Sequence, residues 1–265
     1  MSGDSRPNVP VFETAVVLIT GGTSGVGLAS ALKFAEAGVA RIAIVGRDSG
    51  RGETARAQVA AAYPNADILF IAGDANKVDD ALRVCAEVEA RFGGIDILLN
   101  STVGQAAPAL LKNIPIEELE AILVDQAIGP MLMSRAVMPY MVAAHGGVIL
   151  NIASDAAKLA TPGETVIGGA MAAIVMFSRA LAIEAKRDGI RVNALTPSLI
   201  EGTLTNARMR ESLFASKLFE KAAKMASLGV AVADDLADLA VFLASPAAKK
   251  ITGQAISANG GISAA

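Results

Sequence analysis

The residues with the clearest chemical potential stand near the start of the chain, in "TGGTSGVG" at positions 20–27. Gly21 permits a tight turn, Gly25 and Gly27 allow close backbone approach, and an apolar helical pattern follows at once. The amides and positive dipole end of such a helix can hold a pyrophosphate. A glycine triplet alone is explained equally well by an ordinary strand–helix turn. Here it follows the first apolar strand of a strand–helix–strand unit, which is the context a dinucleotide site demands. Metal chemistry finds no ligand set, with one histidine and one cysteine in the chain. Cys85, in the amphipathic "LRVCAEVE", reads as a small core hydrophobe, and His145 before two glycines as a helix-terminal turn residue.

Elements that could position such a site recur along the chain. Short β-branched runs at 15–20, 41–46, 66–74, 95–100, 146–154, 189–197 and 254–259 alternate with helical patterns. The helices fall at 28–38, 49–63, 77–93, 117–144, 165–187 and 233–245. Unbroken apolar strands alternating with helices imply a parallel sheet covered on both faces, joined by right-handed crossovers. The expected fold class is therefore α/β, a single doubly wound Rossmann-type sheet over residues 13–265, behind a flexible arm at 1–12.

The chain has 265 residues, is 53% hydrophobic, and balances 23 basic against 26 acidic side chains. With no basic block, no tryptophan and 4% aromatics, nucleic-acid binding has little support. No secretory leader pattern and no run of about 18 apolar residues is evident, so a soluble cytoplasmic protein without membrane attachment is expected.

The spacing Gly-x-x-x-Gly-x-Gly, together with "GDA" (73–75), "DILLN" (96–100), "GPMLMSRAVMPYM" (129–141), "GGVILNIAS" (146–154), "GIRVNALTP" (189–197) and "FLASPAAKKITGQAISANGG", resembles the short-chain dehydrogenase/reductase family over residues 13–262. The resemblance implies phosphate contacts at Gly21, Thr23, Ser24, Gly25, Val26 and Gly27, and adenine contacts at Asp74 and Ala75. It implies a nicotinamide half lined by Asn100, Ser101, Thr102, Ile152, Pro197, Ile200 and Thr203. The second strand ends in "VGRD", so Arg47, followed by Asp48, stands where a carboxylate would grip a ribose 2′-hydroxyl. An arginine there can pair with a 2′-phosphate, which favours NADP(H) over NAD(H).

The same resemblance implies an Asn, Ser, Tyr and Lys machinery, and here the chain departs from it. The serine falls on Ser154, but the tyrosine and lysine positions hold Ile167 and Met171, and the asparagine position holds Gln126. The chain's two tyrosines, Tyr63 and Tyr140, lie elsewhere, and Lys158 sits in the loop only four residues after the serine. Free tyrosine has a pKa of about 10 and needs a nearby cation to work near neutrality, which isoleucine and methionine cannot replace. Losing a positioned general acid costs on the order of 10²–10⁴ in rate.

Glu164, three residues before Ile167, is a substitute acid if burial raises its pKa; the alternative is a helix N-terminal glutamate favoured by the dipole. Asp155 is a weaker candidate. Three readings follow. One is an oxidoreductase acting on an imine or iminium, an activated C=C bond or a carbonyl without the usual pair. Another is a catalytically inactive subunit or binding module, and a third is a non-redox isomerase or cyclase using the same pocket. Residues 200–228 are expected to form a mobile flap over a partly apolar small molecule. The family resemblance also implies a homotetramer or dimer, or a hetero-oligomer with an active homologue, built on helices near 105–144 and 155–187.

Overall fold

The computed structural model describes residues 9–209 and 211–265. Seven strands form one parallel sheet in the order β3-β2-β1-β4-β5-β6-β9. They are β1 Val16–Thr20, β2 Arg41–Gly46, β3 Asp67–Ala72, β4 Ile97–Asn100, β5 Gly147–Ile152, β6 Ile190–Leu195 and β9 Ala255–Ile256. A second, two-residue parallel pair joins β7 Ile200–Glu201 to β8 Ala231–Val232. The chain moves outward from β1 to β3, then returns to place β4 on the other side of β1. That reversal opens a crevice beyond the carboxyl ends of β1 and β4, where doubly wound sheets bind ligands.

Each strand is apolar on both sides because helices cover both faces. Val17 and Ile19 of β1 face one way with Ile42, Ile44, Leu99 and Leu150, against Phe34 of α1 (Gly25–Glu36) and Leu236 and Leu243. Val16 and Leu18 face the other way with Ala43, Val45, Leu98 and Ile149. The remaining helices are α2 Ser49–Ala62, α3 Val78–Phe92, α4 Leu119–Ala143, α5 Thr165–Ala185, α6 Leu204–Met209, α7 Leu213–Met225 and α8 Ala233–Ala244. Cys85 and Val88 of α3 and Met133, Val137 and Met141 of α4 fill the second face, so Cys85 is the core hydrophobe its amphipathic neighbours predict.

Local sequence sets the element ends. Asp48 caps α2, its Oδ1 accepting from the Arg51 amide at 2.8 Å. α3 opens on Asp79 and Asp80 and closes at Gly93, whose φ of +79° provides the left-handed stop. Of the expected flap at 200–228, the described residues include β7, α6 and α7.

The expected arm at 1–12 lies outside the described residues for 1–8. Of the remainder, Pro10 is buried and Phe12 sets its ring edge-on to Phe34, centroids 5.9 Å apart. Two helices, Ile116–Ala143 and Thr165–Asp188, are long and apolar enough by composition to cross a membrane. Both are core helices here, packing their buried faces on the sheet and on each other.

Candidate active site

The sheet register brings Thr20, Asn100 and Asn151 side by side at the carboxyl ends of β1, β4 and β5. Their side chains form a buried ladder. Thr20 Oγ1 donates to Asn100 Oδ1 at 3.1 Å, and Asn100 Nδ2 to Asn151 Oδ1 at 2.8 Å. Asn151 Nδ2 donates to Ser178 Oγ at 2.9 Å, and Ser178 Oγ to the Ile174 carbonyl at 2.8 Å. This corrects the role given to Asn100. Its wholly buried amide faces Asn151 and the Pro130 carbonyl, beneath the crevice floor and not in the crevice.

Above the ladder, the glycine turn leads from β1 into α1. Gly21 has φ +68°, and a Cβ on it would lie 2.4 Å from the Ser101 carbonyl oxygen. A Cβ on Gly27 would lie 2.3 Å from the Gly21 carbonyl oxygen, so Gly27 lets the helix sit on its own turn and does not itself line the crevice. Gly25, at φ +51°, faces open space with only the Thr203 side chain near, at 3.6 Å. The Ser24 hydroxyl makes no capping bond, so the first amides of α1 are left for a ligand.

A cleft of about 520 Å³ begins here and continues past the end of β5. Thr23, Ser24, Gly25 and Val26 line its first wall, with Asp74 and Ala75 beyond β3 and Ser101 and Thr102 beyond β4. Ile152, Pro197, Ile200 and Thr203 line the cleft as well. Arg47 lines the mouth and is joined by Arg51, one turn on; among the described residues neither guanidinium has an ion-pair partner. Asp48 is corrected: its carboxylate is the α2 cap and stays outside the cleft.

Such a site fits a dinucleotide. The bare turn, the uncapped amides, the open space at Gly25 and two cations at the mouth match a pyrophosphate and the ribose beside it.

Ser154, Glu164 and Gln126 all reach the second half of the cleft. β5 stops at Ile152, which leaves Ser154 just beyond the sheet, followed by a 3₁₀ turn at Asp155–Ala157. Ser154 Oγ accepts from the Ala156 amide at 3.2 Å, so its proton remains free to donate. Gln126 is buried, and its Oε1 accepts from the Gly104 amide at 3.2 Å. Burial pushes the Glu164 carboxyl above its ordinary pKa; a hydrogen bond with Thr161 pulls it partly back, and the nearby Asp155 charge raises it further. Glu164 stands at the N-cap of α5, where the helix dipole favours a carboxylate, and its side chain makes no capping bond. Ile167 and Met171, one turn apart on α5, supply apolar walls beside Ser154.

Asp155 and Lys158 are engaged elsewhere. Asp155 is buried, accepting from Ser257 Oγ at 2.8 Å, from Ser263 Oγ at 2.9 Å and from the Asn259 amide. Lys158 Nζ donates to Ser257 Oγ and lies 3.6 Å from Asp155. Together these clasp the loop that carries Ser154 to the C-terminal residues.

Sequence reasoning missed Arg51, Asn76, Gln105 and Arg208, which also line the cleft. For Arg51 a signal existed, since it stands in the first turn of the helix that follows the strand-end arginine. Asn76 and Gln105 both engage Asp125 of α4, Asn76 through Nδ2 at 3.2 Å and Gln105 through its backbone amide at 2.8 Å. No local pattern encodes those pairings.

Residues 21–263 match the family described as enoyl-(acyl carrier protein) reductase. The 2-(R)-hydroxypropyl-CoM dehydrogenase of Xanthobacter autotrophicus is 30% identical over 252 residues, covering 94% of this chain and 98% of that one. Levodione reductase superposes with a TM-score of 0.90 at 27% identity, over 96% of this chain and all of that one. The 3-ketoacyl-(acyl-carrier-protein) reductase of Brucella melitensis, solved with NADH, is 32% identical with a TM-score of 0.83, over 95% and 99% of the two chains. With this strand order, this glycine turn and relatives spanning its length, the chain belongs to the short-chain dehydrogenase/reductase family.

Proposed function

We propose that the protein is an NAD(P)(H)-dependent oxidoreductase, favouring NADP(H), that reduces or oxidises a partly apolar small molecule without a tyrosine–lysine pair. One observation carries the reading. A single cleft joins the glycine turn to Ser154 and Glu164, and Ile167 and Met171, where the family pattern has tyrosine and lysine, line it as apolar walls. Thr23, Ser24, Gly25 and Val26 would hold the phosphates, and Arg47 with Arg51 a ribose 2′-phosphate. The solved relative that holds NADH supports the nicotinamide assignment. When bound, the nicotinamide supplies or accepts the hydride.

The chain's own groups then do the rest. Ser154 donates a hydrogen bond to the substrate's polarised atom, its acceptor side being taken by Ala156. Glu164, whose carboxyl burial pushes above its ordinary pKa, offers in its protonated form the proton that a C=C or C=O reduction consumes. A cationic C=N bond consumes hydride alone and leaves Glu164 idle. Gln126 holds the loop after β4 against the cleft. In the same reading the protein is cytoplasmic and assembles as a dimer or tetramer through α4 and α5.

The apolar pair also favours a second reading, a subunit that binds nucleotide without turnover, alone or with an active homologue. Titration of NADPH and NADH by nicotinamide fluorescence, followed by NADPH oxidation assays on imines, enones and ketones, separates the two. Turnover of any class supports the first reading. Tight binding with background oxidation across all three leaves the second, and absence of nucleotide binding by folded protein overturns both.

A further inference from the structure

The cleft carries a third cation, far in sequence from the other two. Arg208, in the last turn of α6, reaches back across the cleft to the loop after β4. Its Nη2 donates to the Gly104 carbonyl at 3.1 Å and its Nη1 to Gln105 Oε1. Its Nε is buried and has no hydrogen-bond partner. No carboxylate answers the charge among the described residues. Asp125 is taken by the Gln105 amide and Asn76, Asp74 by the Asn76 amide, and Glu164 by Thr161. Leaving a buried N–H of a charged group unmatched is unfavourable, and a cation on a cleft wall with no carboxylate partner is a natural counter-ion for an anionic ligand.

This cation stands on a different element from the other two. Arg47 and Arg51 serve the mouth beyond β2, whereas Arg208 belongs to the segment after β6 that carries Leu204, Met209 and Phe219 into the same cleft. Those apolar side chains, with Ile167 and Met171, line the same cleft as the arginine and Ser154.

We propose that Arg208 is a specificity-determining residue that anchors a carboxylate of the substrate. This rests on the oxidoreductase reading and names its substrate class: a molecule with an unsaturated or hydroxylated carbon placed at Ser154, an apolar middle, and a carboxylate at the far end. The Gly104–Gln105 loop holds Nη1 and Nη2 by one bond each and so fixes the guanidinium, while each of these nitrogens keeps a second N–H with which to meet the anion.

The test uses the NADPH-loaded full chain and paired probes, medium-chain oxo-carboxylic acids and their methyl esters, with Kd read by calorimetry. The wild type should bind the acid at least about tenfold more tightly than the ester. Arg208→Ala should weaken the acid by about 10- to 100-fold and leave the ester within about twofold, with Arg208→Lys between. Equal affinity of the wild type for acid and ester overturns the proposal without needing any variant. So does equal loss of both probes in Arg208→Ala, or a loss of NADPH affinity that would assign Arg208 to the nucleotide. The oxidoreductase reading fails separately, by absent NADPH binding or absent turnover, while the acid-to-ester ratio is read from binding alone.

Discussion

Replacing Asn151 by alanine should lower stability by about 3 kcal/mol, a large loss for one residue on the solvent-free side of the sheet. The side chain is wholly buried and sits mid-ladder, accepting from Asn100 and donating to Ser178. Ser178 keeps its own bond to Ile174, so it tolerates the loss. Asn100 does not. Its Nδ2 would retain only the long 3.4 Å contact to the Pro130 carbonyl. An orphaned buried donor costs about 1–3 kcal/mol, and the space vacated by the amide adds about 1 kcal/mol. For a domain of this size that corresponds to a fall in Tm of about 6–12 °C. Urea unfolding followed by circular dichroism measures the loss, and the Asn100→Ala, Asn151→Ala double variant measures the coupling. If the two single losses sum without an interaction of about 1 kcal/mol or more, the ladder is not a connected unit. A single loss below about 1 kcal/mol would refute the energetic argument outright.

Other expectations follow from the cleft and the core. Glu164→Gln should be more stable than the wild type at neutral pH. Its folded-state pKa is raised above 4.5, so wild-type stability is intact below that value and falls as pH climbs through the raised one; stability curves should converge in acid. Arg47→Ala should weaken NADPH about 10- to 100-fold while NADH changes less than about threefold, and a parallel loss of both would remove the 2′-phosphate assignment. Burial pushes the Cys85 thiol to about 12, so a thiol reagent at pH 8 should label it only in denaturant; prompt labelling of native protein would place Cys85 outside the core.

Periodicity made the sheet legible. Runs such as "AVVLIT" and "RIAIVG" are buried on both faces and can be little else, and each is followed by a helix long enough for a crossover. The glycine turn was equally readable, because backbone approach needs glycine whichever ligand is present. Side-chain direction was not. Asn100 ends a strand beside the cleft, yet its orientation depends on a register with Thr20 and Asn151 that only the assembled sheet defines. Asp48 resembles a ribose contact by position and is a helix cap by geometry. Arg208 carries no local signal in "NARMRES", since its partners lie about a hundred residues away. The clasp on Asp155 joins it to Ser257, Asn259 and Ser263 over a similar separation.

The close packing of the glycine turn gives the two ends of the cleft unequal freedom to vary. At Gly21, Gly22 and Gly27 an added methyl would meet the Ser101 carbonyl, Ile44 and the Gly21 carbonyl, all under 3 Å. A library selected for folding alone should therefore keep these three as glycine even if no nucleotide were ever bound. Gly25 is different. It has room, and a residue tolerant of a left-handed backbone, such as asparagine, should fold there. Its persistence under selection would report on ligand, where that of its neighbours reports on packing. Ile167 and Met171 meet the cleft through side chains alone, so a lineage can exchange the chemistry at that end and keep the scaffold. A fold built this way separates the part that inheritance must preserve from the part in which new reactions can begin.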